Sequence, residues 1–147
     1  MRKEIERKFL VKYLPDISNI VPIQSERYFI KNCHGIEERA VKLDNKFFHI
    51  KKWHKSDIER TSEKIEISKD IFESLVLKAY GSTCRDTYQI SKNPKIYLHV
   101  YKKEFSKLVK VEVEFDSAKS AMVFEPLPWM GNEITGTNMD RDSDMIG

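Results

Sequence analysis

"KEIERKFLV", residues 3–11, is the stretch on which the fold turns. As a strand it places Glu4, Glu6, Lys8 and Leu10 on one face and Ile5, Arg7, Phe9 and Val11 on the other. If only the apolar face packs on a core, the charges are solvated; if both faces are covered, they form a buried polar site. The rest of the chain has to say which.

Two later stretches repeat the design. "ERTSEKIEI" (59–67) sets Arg60, Ser62, Lys64 and Glu66 against Thr61, Glu63, Ile65 and Ile67. "KLVKVEVEF" (107–115) sets Lys110, Glu112 and Glu114 against Val109, Val111, Val113 and Phe115. Residues 23–31, 36–43, 47–53, 85–90 and 95–101 also read as strands, the second and third forming a hairpin with Asp44-Asn45 at its tip. Ser68 reads as a cap, and Ile71, Phe72, Leu75, Val76 and Ala79 follow helical spacing over Lys69–Ala79. Residues 12–19 read as a turn or short helix. "EPLPWMGNEITG" (125–136) reads as a structured loop with Trp129 as a lid over the barrel end, and "NMDRDSDMIG" (138–147) as a mobile end or a short helix. The expected class is mostly β (α+β), with about eight antiparallel strands and a few helices outside, in one domain spanning 1–147.

Two arrangements satisfy this pattern. One is an open sheet with a wet face; the other is a closed tunnel lined by both signs of charge. Buried charges persist only when paired or when binding opposite ions. Carboxylates at Glu4, Glu6, Glu112 and Glu114 suit a hard divalent cation, and Lys and Arg suit phosphate oxygens, so a charged lumen calls for a metal-bound polyphosphate.

Composition narrows the partners. The 26 basic and 23 acidic residues nearly cancel, to a net charge of +3. A lumen is too narrow for a duplex, and the aromatics do not interleave with basic residues as a single-strand platform requires. Cys33 and Cys84 are too far apart in sequence for a zinc motif. No apolar run reaches the length of a membrane span, and the motif starts too close to Met1 for a leader, so a cytoplasmic protein without a membrane partner is expected.

Glu4-Ile5-Glu6-Arg7-Lys8 resembles the E-x-E-x-K signature of the CYTH superfamily, the triphosphate tunnel metalloenzymes. "RAVKLDNKFFHIKKW" resembles its Arg-rich strand and the strand after it, giving Arg39 and Lys51; "RTSEKIEIS" gives Arg60 and Glu66; "KVEVEF" gives Glu112 and Glu114; "LPWMGNEITG" resembles the stretch that follows. Tyr28 falls at the tyrosine near the tunnel mouth. The resemblance implies an eight-stranded antiparallel tunnel that hydrolyses inorganic tripolyphosphate or a nucleoside triphosphate with Mg2+ or Mn2+. Glu4, Glu6, Glu112 and Glu114 would hold the metal; Lys8, Arg39, Lys51, Arg60, Lys64 and Arg85 would grip phosphate. Glu4, Glu6, Lys8 and Arg85 would be the catalytic set. A homodimer is an allowed assembly.

Several lumen positions depart from the family pattern. Val41 replaces an arginine, Ser62 and Lys64 replace glutamates, Arg85 a lysine, Thr87 an arginine and His99 an aspartate. Losing cations weakens phosphate grip; losing carboxylates weakens any second metal site. His99 could serve as metal ligand, proton shuttle or buried hydrogen-bonded group. These changes open a second reading, a tunnel that binds a phosphorylated nucleotide or signal without turnover. A third, adenylyl cyclase, lacks the His-Phe pair that such members carry ahead of E-x-E-x-K.

Overall fold

The computed structural model describes residues 1–146. Its strands are β1 (Arg2–Val11), β2 (Ile23–Cys33), β3 (Ile36–Leu43), β4 (Lys46–His54), β5 (Glu59–Ile67), β6 (Gly81–Lys92), β7 (Lys95–Tyr101), β8 (Val109–Phe115) and β9 (Met130–Glu133). The α-helices are α1 (Lys69–Val76), α2 (Ala118–Val123) and α3 (Asp142–Met145). Hydrogen bonding runs β5-β4-β3-β2-β6-β7-β8-β1-β9, and a further β5–β1 pairing closes the first eight strands into a barrel. All pairings are antiparallel, as expected from the sequence.

Turn chemistry sets the registers. Cys33 pairs with Ile36 across His34-Gly35 (φ 53 and 75°), and Leu43 with Lys46 across Asp44-Asn45, where Asp44 has φ 50°. Such tight two-residue turns, with positive φ at Gly or Asx, match the twist of the flanking strands. The Asp44 carboxylate also accepts from the Gln24 amide at 3.0 Å, tying the β3–β4 turn to β2.

Closure depends on β1. Arg2–Ile5 pair with β5, Ile5–Phe9 with β8, and Phe9–Val11 with β9. Where β5 diverges, β9 takes the edge that would otherwise stay open. The stretch expected as an irregular loop therefore contains a strand. Trp129 follows suit: it packs against the outer core, and its carbonyl accepts from Lys12 N at 2.8 Å, so it is not a lid on the barrel end.

Both faces of β1 are covered. Outside, Phe9 (1% exposed), Ile96, Leu98, Val111, Val113 and Met130 form the core, with Phe115, Phe124 and Trp129 around it. Inside, Glu6 and Lys8 are buried. On the opposite outer face α1 seats Phe72 against Phe47 (4.8 Å between ring centres) and, edge-on, Tyr28 (5.7 Å). Ser68 caps α1 by accepting from Ile71 N. The helix ends at Val76 rather than Ala79, because residues 77–80 turn to bring Tyr80 N onto Phe29 O at 2.9 Å and start β6. No described helix is long and apolar enough to cross a membrane.

Candidate active site

The β1–β8 register sets Glu6 beside Glu114 and Lys8 beside Glu112. Glu6, Glu112 and Glu114 each offer a carboxylate oxygen, all within 4.8 Å of one another. Like charges so close oppose ionisation. Burial, then Glu112, raises Glu6 and pushes Glu114 up to about 7. Burial would raise Glu112 too, but the hydrogen bond from His99 and the Lys8 and Arg85 charges hold it well below the carboxylate range. His99 Nε2 lies 3.1 Å from Glu112 Oε1, and its Nδ1 lies 2.8 Å from Thr87 Oγ1. Burial and the Arg85 charge lower its pKa to about 4, so at neutral pH it is an uncharged ring donating to Glu112 and accepting from Thr87. Of the roles open to it from sequence, the structure matches the buried, hydrogen-bonded one.

Three oxygen donors sharing mutual repulsion fit a hard divalent cation, whose charge would relieve the raised Glu114. Glu4 stands apart from this cluster, ion-paired with Lys52 at 3.0 Å.

The remaining inner positions carry cations. Arg60 meets Glu6 at 3.1 Å, and Lys8 sits between Glu6 (3.5 Å) and Asp140 (3.0 Å). Arg39 pairs with Glu37 at 2.6 Å. Asp142, at the start of α3, collects Arg27, Lys110 (3.0 Å), Arg85 (3.6 Å), the Tyr101 hydroxyl (2.5 Å) and the Thr83 hydroxyl (2.9 Å). Against burial, Arg27, Arg85 and Lys110 hold its carboxyl well below the usual range. Burial in turn lowers Lys110 to about 8 despite that partner. Ser143 donates to Glu37 at 2.6 Å, so the C-terminal segment is bound inside one end of the barrel and is not mobile there. Above it lies a cavity of about 230 Å³ lined by both charge types.

Two residues read from sequence fall outside the lumen. Lys51 lies on the outer face of β4 between Glu38 and Glu63; its neighbour Lys52 points inward, since a strand alternates faces. Tyr28 likewise lies outside, donating to Glu26 at 2.7 Å. Lys64 sits at the mouth, 4.4 Å over the Phe48 ring, and Glu66 is exposed beyond it beside Phe48. Glu6, Lys8, Arg39, Arg60, Arg85, His99, Glu112 and Glu114 do converge.

No family model matches the sequence. A curated inorganic triphosphatase from Nitrosomonas europaea is 34% identical over 136 residues, covering 90% of this chain and 89% of that protein. The chain belongs to the CYTH superfamily of triphosphate tunnel proteins. The crystal structure of an inorganic triphosphatase superposes with a TM-score of 0.70 at 29% identity, over 99% of this chain and 95% of that one. A candidate adenylate cyclase from Bacillus halodurans shares the fold, with a TM-score of 0.61 at 17% identity over 84% of this chain and 87% of that one.

Within this CYTH tunnel, the residues missed from sequence are Arg27, Glu37, Lys52, Lys110, Asp140 and Asp142. Strand alternation through "SERYF" and "KVEVE" carried a signal for Arg27 and Lys110. Nothing periodic marks Asp140 or Asp142, which reach the lumen from a turn and a single helical turn.

Proposed function

We propose that the chain hydrolyses a triphosphate inside the tunnel, with a divalent cation, Mg2+ or Mn2+, held by Glu6, Glu112 and Glu114. The supporting observation is the enclosed juxtaposition of that carboxylate cluster with Lys8, Arg60, Lys52, Arg39 and Arg85 around one cavity. A cation held there supplies Lewis-acid polarisation of phosphoryl oxygens and a more acidic water. The protein's own groups do the rest. Lys8, Arg39, Lys52, Arg60 and Arg85 grip phosphate oxygens and spread the charge that develops at phosphorus. Arg85 stays protonated, so it contributes charge and not proton transfer. His99 fixes the Glu112 carboxylate, and the covered walls keep bulk water from the phosphoanhydride.

The test is phosphate release from tripolyphosphate and ATP with Mg2+ or Mn2+, for the purified protein beside Glu6→Gln. Losing a group that merely supports a metal ligand costs roughly 10- to 100-fold, so a direct ligand is expected to cost more, with the circular dichroism spectrum unchanged. Undiminished hydrolysis by Glu6→Gln overturns the metal assignment. The grip of Asp142 on Arg27, Arg85 and Lys110 favours one second reading, a tunnel that binds without turnover. Calorimetric binding of tripolyphosphate with no phosphate release would select it.

A further inference from the structure

Strand β5 is paired along one edge with β4, from Arg60 to Ile67, but on its other edge only Glu59–Ser62 have a partner, in β1. Among the described residues, Glu63–Ile67 have no backbone partner on that side. Exposure marks the same boundary: Lys64, Ile65 and Glu66 are consecutive and all exposed, although successive strand residues point to opposite faces. Such an edge presents a row of free N–H and C=O groups with which another strand can pair. β9, the other strand with a single partner, is only four residues long. The charges on the β5 edge also lack counterparts on their own sheet: across the ladder to β4, Lys64 stands opposite Ile50 and Glu66 opposite Phe48.

The order of side chains along this edge specifies what fits it. When two identical strands pair antiparallel about a two-fold axis, the residue on the axis faces its own copy and its neighbours face each other across it. An axis at Glu63, Lys64 or Glu66 sets two like charges face to face, which is destabilising. An axis at Ile67 leaves almost no strand to pair, since α1 starts at Lys69. An axis at Ile65 places Lys64 opposite the partner's Glu66 and Glu66 opposite the partner's Lys64, and covers Ile65, which is 50% exposed, with its own copy. We infer that the β5 edge docks a second copy of this chain, the two edges pairing antiparallel about Ile65 to form a homodimer. The contact is isologous, so it uses both open edges and closes without growing into a fibre. Because Lys64 and Glu66 stand at and beyond the mouth, the pairing brings the two tunnel mouths together.

The experiment is sedimentation over a dilution series for the native chain, Lys64→Glu, Glu66→Lys and the double reversal Lys64→Glu with Glu66→Lys. Both side chains are exposed, so all three variants are expected to fold, which their circular dichroism checks. The native chain is expected to sediment as a dimer that dissociates on dilution. Each single reversal sets like charges opposite one another at two symmetric places, so it is expected to weaken the dimer by roughly tenfold or more. The double reversal restores opposite charges at both places and is expected to recover the native dissociation constant, which loss of an unrelated contact would not allow. In the native chain, amide hydrogen exchange of residues 63–67 is expected to slow as concentration rises, a readout that needs no variant. A native chain that stays monomeric at every concentration, single reversals that leave the dimer intact, a double reversal as weak as either single one, or exchange at 63–67 independent of concentration overturns the inference. None of these readouts depends on turnover, so the hydrolase reading stands or falls separately.

Discussion

His99 shows what one substitution can do within a shared frame. Its ring spans Thr87 and Glu112, so the carboxylate that would otherwise swing in a crowded acidic cluster is aimed by a neutral donor. Groups that orient metal ligands are worth roughly 10- to 100-fold in metal affinity or activity. His99→Ala is therefore expected to raise the Mg2+ or Mn2+ concentration for half-maximal turnover by that order, with His99→Asn recovering part of the loss. A metal titration unchanged in His99→Ala would remove the positioning role. Legibility at this scale followed strand parity. Glu6, Arg60 and Glu112 came out on the charged face because alternation groups them there, and Arg39 came from the family resemblance, whereas the resemblance gave Lys51 in place of Lys52, since two adjacent lysines offer no hydrophobic contrast to fix which one points inward. A single-residue slip in parity moves a side chain to the other side of the wall.

The elements were legible where one period ran long enough to be read, and β1 is the clearest instance. Its apolar face anchors the core under α2 and β9, while its edges bond three different strands. Phe9 stands at the point where β8 and β9 both hold it, and its ring lies 6.3 Å from that of Phe124. Truncating so buried an aromatic leaves a cavity, at a cost of about 3–5 kcal/mol. Phe9→Ala should lower Tm by roughly 10 °C, and thermal unfolding followed by circular dichroism measures it. A shift of only a degree or two would mean that β1 is not held by its outer face. The short elements escaped the reading for a converse reason. Four-residue β9 and α3 are too brief for either period to show, and their positions come from what they complete: an open strand edge for β9, a set of buried cations for α3.

For the whole molecule, the lumen is a balance of charges closed at one end by the chain's own carboxylate. Asp142 ties α3 to Arg27 on β2, Arg85 on β6, Tyr101 on β7 and Lys110 on β8, so a single ionised group links half the barrel. Its folded pKa is lowered well below 3.8, so in acid the unfolded chain binds the proton first; the stabilisation is complete above about pH 4 and is lost as pH falls further. His99, held near 4 instead of 6.5, stays neutral in the fold while the unfolded chain takes up a proton, which costs stability as pH drops from 6.5 toward 4; Glu114, held up at about 7, is protonated first in the fold and offsets that loss over the same window. Denaturant unfolding across pH should thus show its main acid loss below pH 4. Asp142→Asn leaves three cations without their carboxylate, which costs about 3–5 kcal/mol at neutral pH. It should also flatten the loss below pH 4, because an amide has no proton to gain, while the profile between pH 7 and 4 stays as in the native chain. If the Asp142→Asn profile instead runs parallel to that of the native chain down to pH 2–3, the acid loss arises elsewhere and Asp142 is not the group that closes the tunnel.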